Sequence, residues 1–219
     1  MKRIILFDLD GTLTDPKEGI TKCVQYALKH FGIDADLSEL LCFIGPPLID
    51  SFRQFYKFDD ETAKIAVEKY RERFKDIGIF ENGVYDGIHD MLKTCKNMGY
   101  RIGLATSKPE VFARRILDKY LLTEYFDEIT GSTMDGSINT KTAVIQEAFS
   151  RMGIDDEIKS QVIMIGDREH DIIGAKNCGI ESVGVYFGYA EDGELEAAGA
   201  EYIVDTVAQL KELLERLGR

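Results

Sequence analysis

The chain has 219 residues, of which 44% are hydrophobic, and its 27 basic and 39 acidic residues give a net charge of −12. Such an acidic chain is poorly suited to the phosphate backbone of a nucleic acid or to an anionic membrane, so we expect neither as a partner. The N-terminal apolar run is too short for a signal peptide, and no stretch reaches the ~20 apolar residues of a membrane span, so we expect a cytoplasmic protein. The four scattered cysteines form no CxxC pair, and we expect them to be reduced thiols.

A short apolar run over residues 4–7 opens the chain and leads directly into Asp8 and Asp10. Four consecutive apolar residues predict a buried parallel strand. Side chains alternate along a strand, so Asp8 and Asp10 leave it on the same side, and Gly11 permits a sharp turn after them. Two like charges at a strand end repel unless the repulsion is offset, most simply by a metal ion. The end of this strand is therefore the first candidate site.

The next segment, from about residue 15 to residue 80, is predicted to be entirely helical. Asp15 and Pro16 begin the first helix, because aspartate can cap a helix and proline suits its first turn, and Gly32 ends it. Further helices are expected over 38–43 and 48–56, with a Gly-Pro-Pro break between them, and from residue 59 onward. No strand is expected in this block.

Beyond residue 82 the apolar pattern alternates between strands and helices. Predicted strands cover 100–105, 126–130, 162–165, 182–186 and 202–204, and predicted helices cover 88–98, 110–120, 141–152, 171–178 and 207–217. This alternation predicts an α/β fold, a Rossmann-like doubly wound parallel sheet. The first strand must join that sheet, so the helical block is an insertion. We therefore predict a core domain of residues 1–14 and 82–219 and an inserted all-helical domain of residues 15–81.

Four polar clusters follow strands or begin helices of the predicted core. Because ligands of open α/β sheets bind at the carboxyl ends of the strands, these clusters are candidates for one site. They are Asp8 with Asp10, then Thr106-Ser107-Lys108, then Lys141 at a helix start, and finally Asp167 and Asp171 within Gly-Asp-Arg-Glu-His-Asp.

In order and type these clusters resemble the four motifs of the haloacid dehalogenase-like hydrolases, which are DxDGT, Ser or Thr, Lys, and GDxxxD. The resemblance spans the whole chain, and the helical insertion lies where that family carries its C1-type cap domain. A lone DxD would be weak evidence, whereas four motifs in the family's order are specific.

The resemblance implies a Mg²⁺-dependent phosphatase that acts through an aspartyl-phosphate. Asp8 would be the nucleophile, which as a carboxylate needs no base. Asp10 would protonate the leaving oxygen and then deprotonate water, a double role that suits a pKa raised toward neutrality. Asp8, Asp167, Asp171 and the backbone carbonyl of Asp10 would hold the ion, since oxygen ligands suit Mg²⁺. The phosphate would be bound by Gly11, Thr12, Thr106, Ser107, Lys108 and Lys141.

Simpler interpretations of single residues stay open at this point. Thr106 could cap the helix that follows Pro109, Asp171 could be a plain N-cap, and Lys108 could be a surface residue. His170 lies among acidic neighbours, and we interpret it as structural rather than catalytic.

The four motifs define the catalytic groups more closely than they define the reaction or its substrate. Asp10 argues against dehalogenation, because dehalogenases of the family lack the second aspartate. A β-phosphoglucomutase-like phosphomutase and a non-catalytic phosphate-binding protein remain alternatives. The segment 43–48 resembles the cap loop of phosphoglycolate phosphatase-like members, with Arg53 as a candidate anion contact, and the fourth motif resembles that of 5′-nucleotidase-like members. We expect a small phosphorylated metabolite as substrate, and a monomer or homodimer.

Overall fold

The computed structural model describes all 219 residues. Its strands are β1 (Ile4–Phe7), β2 (Thr14–Asp15), β3 (Gly83–Val84), β4 (Arg101–Pro109), β5 (Glu128–Ser132), β6 (Val162–Gly166), β7 (Glu181–Val185) and β8 (Tyr202–Val204). Its α-helices are α1 (Lys17–His30), α2 (Leu48–Tyr56), α3 (Asp60–Phe74), α4 (Ile88–Asn97), α5 (Glu110–Lys119), α6 (Lys141–Met152), α7 (Glu169–Cys178), α8 (Glu194–Ala198) and α9 (Val207–Leu217). Short 3₁₀-helices cover Leu37–Phe43, Gly78–Phe80, Thr123–Tyr125 and Lys159–Gln161.

The central sheet has six parallel strands in the order β5-β4-β1-β6-β7-β8. Ile4 of β1 is in register with Arg101 of β4 and with Val162 of β6. All four residues of β1 are buried, which explains why this strand is continuously apolar rather than alternating. In the sheet β1 lies between β4 and β6, and the chain crosses from the β4 side to the β6 side only after β5. The carboxyl ends of these three strands therefore meet at the switch point of the sheet, where α/β folds bind ligands.

One face of the sheet is covered by α6 and α7. Ile4 and Leu6 of β1 and Met164 of β6 pack with Phe149 of α6 in a single buried apolar cluster. Burial of one such side chain stabilises the fold by about 1.5–3 kcal/mol. The strands that carry the candidate site are thus fixed by a dense apolar layer beneath them.

The chain divides into two compact units. The larger comprises Met1–Thr14 and Val84–Arg219 and contains the six-stranded sheet, and the smaller comprises Asp15–Gly83. The predicted second boundary, between residues 81 and 82, lies two residues before the one at Gly83 and Val84. A separate sheet of two short strands is formed by β2 and β3.

The smaller unit is helical and has its own core. Phe43 and Phe52 are fully enclosed within it, and their ring centroids lie 5.0 Å apart in an edge-to-face arrangement. Arg73 of α3 forms an ion pair with Glu81 at 2.6 Å. None of the helices along the chain combines the length and the apolar character that a membrane span requires.

The predicted α/β architecture is confirmed, but two predicted element boundaries were wrong and one helix was missed. The strand predicted to end at residue 105 continues to Pro109, because a proline disfavours helical backbone in the residue before it. Helix α7 begins at Glu169 and not at Asp171. Helix α8 was not predicted, since it has five residues and only Leu195 of them is buried.

Candidate active site

Three buried carboxylates form the centre of the site. Asp8 follows β1, Asp167 follows β6, and Asp171 lies in the first turn of α7. One carboxylate oxygen from each lies within 4.8 Å of the others, and the three residues are at most 5% exposed. Like charges buried this closely repel one another, and a nearby cation offsets that repulsion. An all-oxygen set of this kind fits a hard divalent cation, so the residues present suit such an ion.

Asp8 and Asp10 are positioned by the end of β1 and by a tight turn. The backbone N–H of Asp8 donates to the carbonyl of Ile165, which continues the pairing of β1 with β6 by one residue. The turn requires Gly11, whose φ is +82°. A Cβ atom at Gly11 would lie 2.0 Å from Oδ2 of Asp167, so glycine is needed for space as well as for the turn.

Lys141 forms ion pairs with two of the three buried carboxylates. Its Nζ lies 2.9 Å from Oδ1 of Asp8 and 2.6 Å from Oδ1 of Asp171, and it donates a hydrogen bond to the carbonyl of Ala105 at 3.0 Å. The two carboxylate contacts are ion pairs without aligned hydrogen bonds at these oxygens. Burial alone would lower the pKa of Lys141, but the charges of Asp171 and Asp8 outweigh burial and raise it above its ordinary value. The ammonium is therefore permanently charged.

The pKa of Asp171 is raised to about 6, first because the carboxyl is buried and then because Asp8 is near, while Lys141 opposes the rise. Its Oδ2 accepts a hydrogen bond from the backbone N–H of Arg168, so Asp171 is the third residue of α7 in a capping arrangement. The interpretation of Asp171 as a plain N-cap is wrong.

Asp10 is paired with Lys108. Nζ of Lys108 contacts Oδ2 of Asp10, and the side chains are only 6% and 11% exposed, so the surface interpretation of Lys108 is wrong. Oδ1 of Asp10 is buried and has no hydrogen-bond partner in the protein. Burial raises the pKa of Asp10, Lys108 opposes the rise, and the charge of Asp8 adds to it. This carboxyl therefore keeps its proton to a higher pH than an ordinary aspartate does.

The predicted phosphate-binding hydroxyls have different neighbours. Thr106 is buried, and its Oγ1 accepts a hydrogen bond from the backbone N–H of Lys108, whereas Pro109 is the residue that precedes α5. The interpretation of Thr106 as a helix cap is therefore wrong. Ser107 is partly exposed on the same strand. Oγ1 of Thr12 donates to Oδ1 of Asp167 at 3.2 Å, so Thr12 contacts the carboxylate cluster.

The loop after β7 also reaches the site, which the sequence did not reveal. The backbone N–H of Tyr189 donates to Oδ2 of Asp167 at 2.9 Å. A Cβ atom at Gly188 would lie 2.3 Å from the carbonyl oxygen of Gly11 and 2.4 Å from Cβ of Asp167. Asp167 is thus hydrogen-bonded at both oxygens, yet burial and the charges of Asp171 and Asp8 raise its pKa well above the ordinary value. In the sequence, Gly188 was the one residue of this loop that could have indicated a close backbone contact.

Two further candidates from the sequence have other neighbours. His170 is partly buried, and burial lowers its pKa. Arg53 lies in the smaller unit and forms ion pairs with Asp50 at 3.3 Å and Asp60 at 2.7 Å. The positive charge of Arg53 is therefore already paired with two carboxylates.

The sequence and the fold both resemble those of known proteins. A sequence model described as haloacid dehalogenase-like hydrolase matches residues 5–185. A 5′-nucleotidase of Pseudomonas aeruginosa is 44% identical over 212 residues, which cover 96% of this chain and 95% of that protein. The tyrosine-protein kinase PtkA of Mycobacterium tuberculosis is 34% identical, over 99% of this chain and 72% of that protein. The crystal structure of a predicted phosphatase from Clostridium acetobutylicum superposes with a TM-score of 0.95 at 47% identity, covering 99% of both chains. The predicted family is confirmed: the chain belongs to the haloacid dehalogenase-like hydrolases, in their phosphatase branch.

Proposed function

We propose that this protein is a Mg²⁺-dependent phosphomonoesterase that acts on a small phosphorylated metabolite through an aspartyl-phosphate at Asp8. The observation that carries the proposal is the buried cluster in which Lys141 bridges Asp8 and Asp171 beside Asp167. Asp8, Asp167 and Asp171, together with the backbone carbonyl of Asp10, would hold the Mg²⁺, which would neutralise negative charge on the phosphoryl group.

In the first step a carboxylate oxygen of Asp8 bonds to phosphorus while the bond from phosphorus to the ester oxygen breaks. The leaving oxygen takes a proton from Asp10, whose burial raises its pKa and so favours the protonated form. Lys141, held at Asp8, stabilises the negative charge on the phosphoryl oxygens. The products of this step are the free alcohol and the aspartyl-phosphate.

In the second step Asp10 takes a proton from water as the water oxygen bonds to phosphorus and the bond to Asp8 breaks. The unpartnered Oδ1 of Asp10 is the atom we assign to both proton transfers, because Oδ2 is engaged by Lys108. Lys108 holds the Asp10 carboxyl in one orientation, so the two transfers occur at the same point. Inorganic phosphate leaves and the carboxylate of Asp8 is restored.

Nucleoside 5′-monophosphates are the substrate class that we place first. The 44% identity to a 5′-nucleotidase over almost the full length of both chains supports this choice. Crystal structures of predicted phosphoglycolate phosphatases share the fold at 20–21% identity, and at that level the likeness concerns the fold alone.

The test is phosphate release from nucleoside 5′-monophosphates, phosphoglycolate and sugar phosphates, with Mg²⁺ or with EDTA. We expect release that depends on Mg²⁺ and falls at least about 10³-fold in Asp8→Asn, since the nucleophile is lost. Asp156→Asn, at an exposed position, is the matched control and should retain wild-type activity. Undiminished activity of Asp8→Asn would refute the assignment. Isomerisation of a sugar phosphate without phosphate release would favour a mutase, and inactivity on every ester would favour the non-catalytic alternative.

A further inference from the structure

Glu194 joins two segments that border the carboxylate cluster, although it lies outside the four motifs. It is the first residue of α8, and its side chain is 11% exposed. Oε1 accepts hydrogen bonds from Nε of Arg168 at 2.8 Å and from the backbone N–H of Glu169 at 2.7 Å. Oε2 accepts from the backbone N–H of Glu191 at 3.0 Å. One carboxylate therefore receives three donors from two separate parts of the chain.

Both of these parts hold Asp167. Arg168 and Glu169 follow it directly and lead into α7. Glu191 belongs to the loop after β7, which also contains Tyr189, whose backbone N–H donates to Oδ2 of Asp167. The orientation of the Asp167 carboxylate is therefore coupled to the position of each of these two parts.

The packing leaves this loop little freedom. Gly188 lies so close to Gly11 and Asp167 that even a methyl group would come within 2.4 Å of both. Thr12 fixes the opposite oxygen, Oδ1, of Asp167. The carboxylate is thus held from two sides, and Glu194 links the loop side to the start of α7 by hydrogen bonds.

The negative charge of Glu194 is compensated within this hydrogen-bond network. Its side chain is mostly buried, and a buried carboxylate is costly unless it is paired and hydrogen-bonded. Arg168, itself 15% exposed, supplies the pairing charge. An apolar or neutral residue could fill the same space but could not accept three donors at once.

We propose that Glu194 is a positioning residue for the divalent-cation site: with Arg168 it fixes the loop after β7 against α7 and so sets the orientation of the Asp167 carboxylate. This inference rests on the proposed function insofar as that function places a cation at Asp8, Asp167 and Asp171. Glu194 itself would not touch the cation or the substrate.

The test compares Glu194→Gln with Glu191→Gln. The first keeps the shape of the side chain but cannot accept all three donors, and the second removes the same charge from an exposed side chain of the same loop. The full-length protein is titrated with Mn²⁺ followed by electron paramagnetic resonance, and Mg²⁺ is measured by competition. Urea unfolding in EDTA is recorded in parallel, so that a general loss of stability is seen separately.

We expect the dissociation constants of both ions to rise about tenfold in Glu194→Gln and to stay within about twofold in Glu191→Gln, because residues that orient metal ligands typically contribute tenfold or more to affinity. Arg168→Gln, which removes the pairing charge from the other side, should weaken binding similarly and serves if Glu194→Gln does not fold. If Glu194→Gln or Arg168→Gln folds and binds both ions with wild-type affinity, the inference about Glu194 is wrong and the proposed function is unaffected. Absence of cation binding by the wild type would overturn the proposed function as well.

Discussion

Replacement of Lys141 by methionine tests the electrostatic balance of the site. Lys141→Met keeps the length and most of the volume of the side chain but removes the charge that meets Asp8 and Asp171 at 2.9 and 2.6 Å. At an effective dielectric constant of about 20, each of these separations corresponds to about 6 kcal/mol of attraction before desolvation is counted. Desolvation of the buried ammonium, several kcal/mol, offsets much of that gain.

The loss on substitution is nevertheless large, because the carboxylates remain buried after their partner is gone. Removal of one member of a buried ion pair costs about 3–5 kcal/mol, and we expect about 4 kcal/mol for Lys141→Met in EDTA. Mg²⁺ at about ten times its dissociation constant should restore about 1.4 kcal/mol, since a ligand that binds only the folded state stabilises it. The measurement is urea unfolding at pH 7 with EDTA or Mg²⁺.

Lys176→Met is the matched control, because Lys176 is an exposed lysine of α7 and its substitution should change stability by no more than about 0.5 kcal/mol. A Lys141→Met protein within about 1 kcal/mol of the wild type in EDTA would refute the reasoning, because the carboxylates would then not depend on this ammonium.

Two further predictions concern the wild-type cluster and its surroundings. The pKa of Asp171 is about 6 in the folded protein against 3.8 for an ordinary aspartate, so the folded state binds more protons between these values. In EDTA this carboxyl should therefore lower stability by about 3 kcal/mol as pH rises from about 4 to about 6. The measurement is urea unfolding of the wild type and of Asp171→Asn over that range, and a wild-type stability that does not fall relative to the variant would contradict the prediction. Gly188→Ala should cost about 1–3 kcal/mol, because its Cβ atom would meet a backbone oxygen at 2.3 Å. Gly83→Ala, where a Cβ atom meets nothing within 4 Å, is the control, and equal urea midpoints for the two variants would count against the packing described.

The architecture could be predicted because its signals are local. The apolar run of β1 needed no knowledge of its neighbours, since a strand buried on both faces is continuously apolar. Helix α6 was predicted to its end residues, as Thr140 caps it and Gly153 ends it in the left-handed conformation. Residue types in motif order also predicted that Asp8, Lys141 and Asp171 belong together, and the structure places them in contact.

The remaining features depend on contacts between distant segments. Lys108 meets Asp10 across 98 positions of sequence, and nothing in its neighbours distinguishes that ion pair from phosphate binding or exposure. Tyr189 acts through its backbone N–H, a group that every residue except proline carries, so its residue type holds no signal. Glu194 is one of many acidic residues in this chain, and only the fold shows that its carboxylate is enclosed.

The central claim is that Asp8 carries the phosphoryl group during turnover, and mass analysis of acid-quenched protein tests it most directly. Wild-type protein, Asp8→Asn and Asp156→Asn are mixed with a nucleoside 5′-monophosphate and Mg²⁺, quenched within one turnover and digested. A peptide that contains Asp8 and one added phosphoryl group is expected in the wild type and in Asp156→Asn, and in neither Asp8→Asn nor an EDTA-treated sample. Phosphate release by the wild type with no such adduct at any quench time would contradict the account and would indicate direct attack by water.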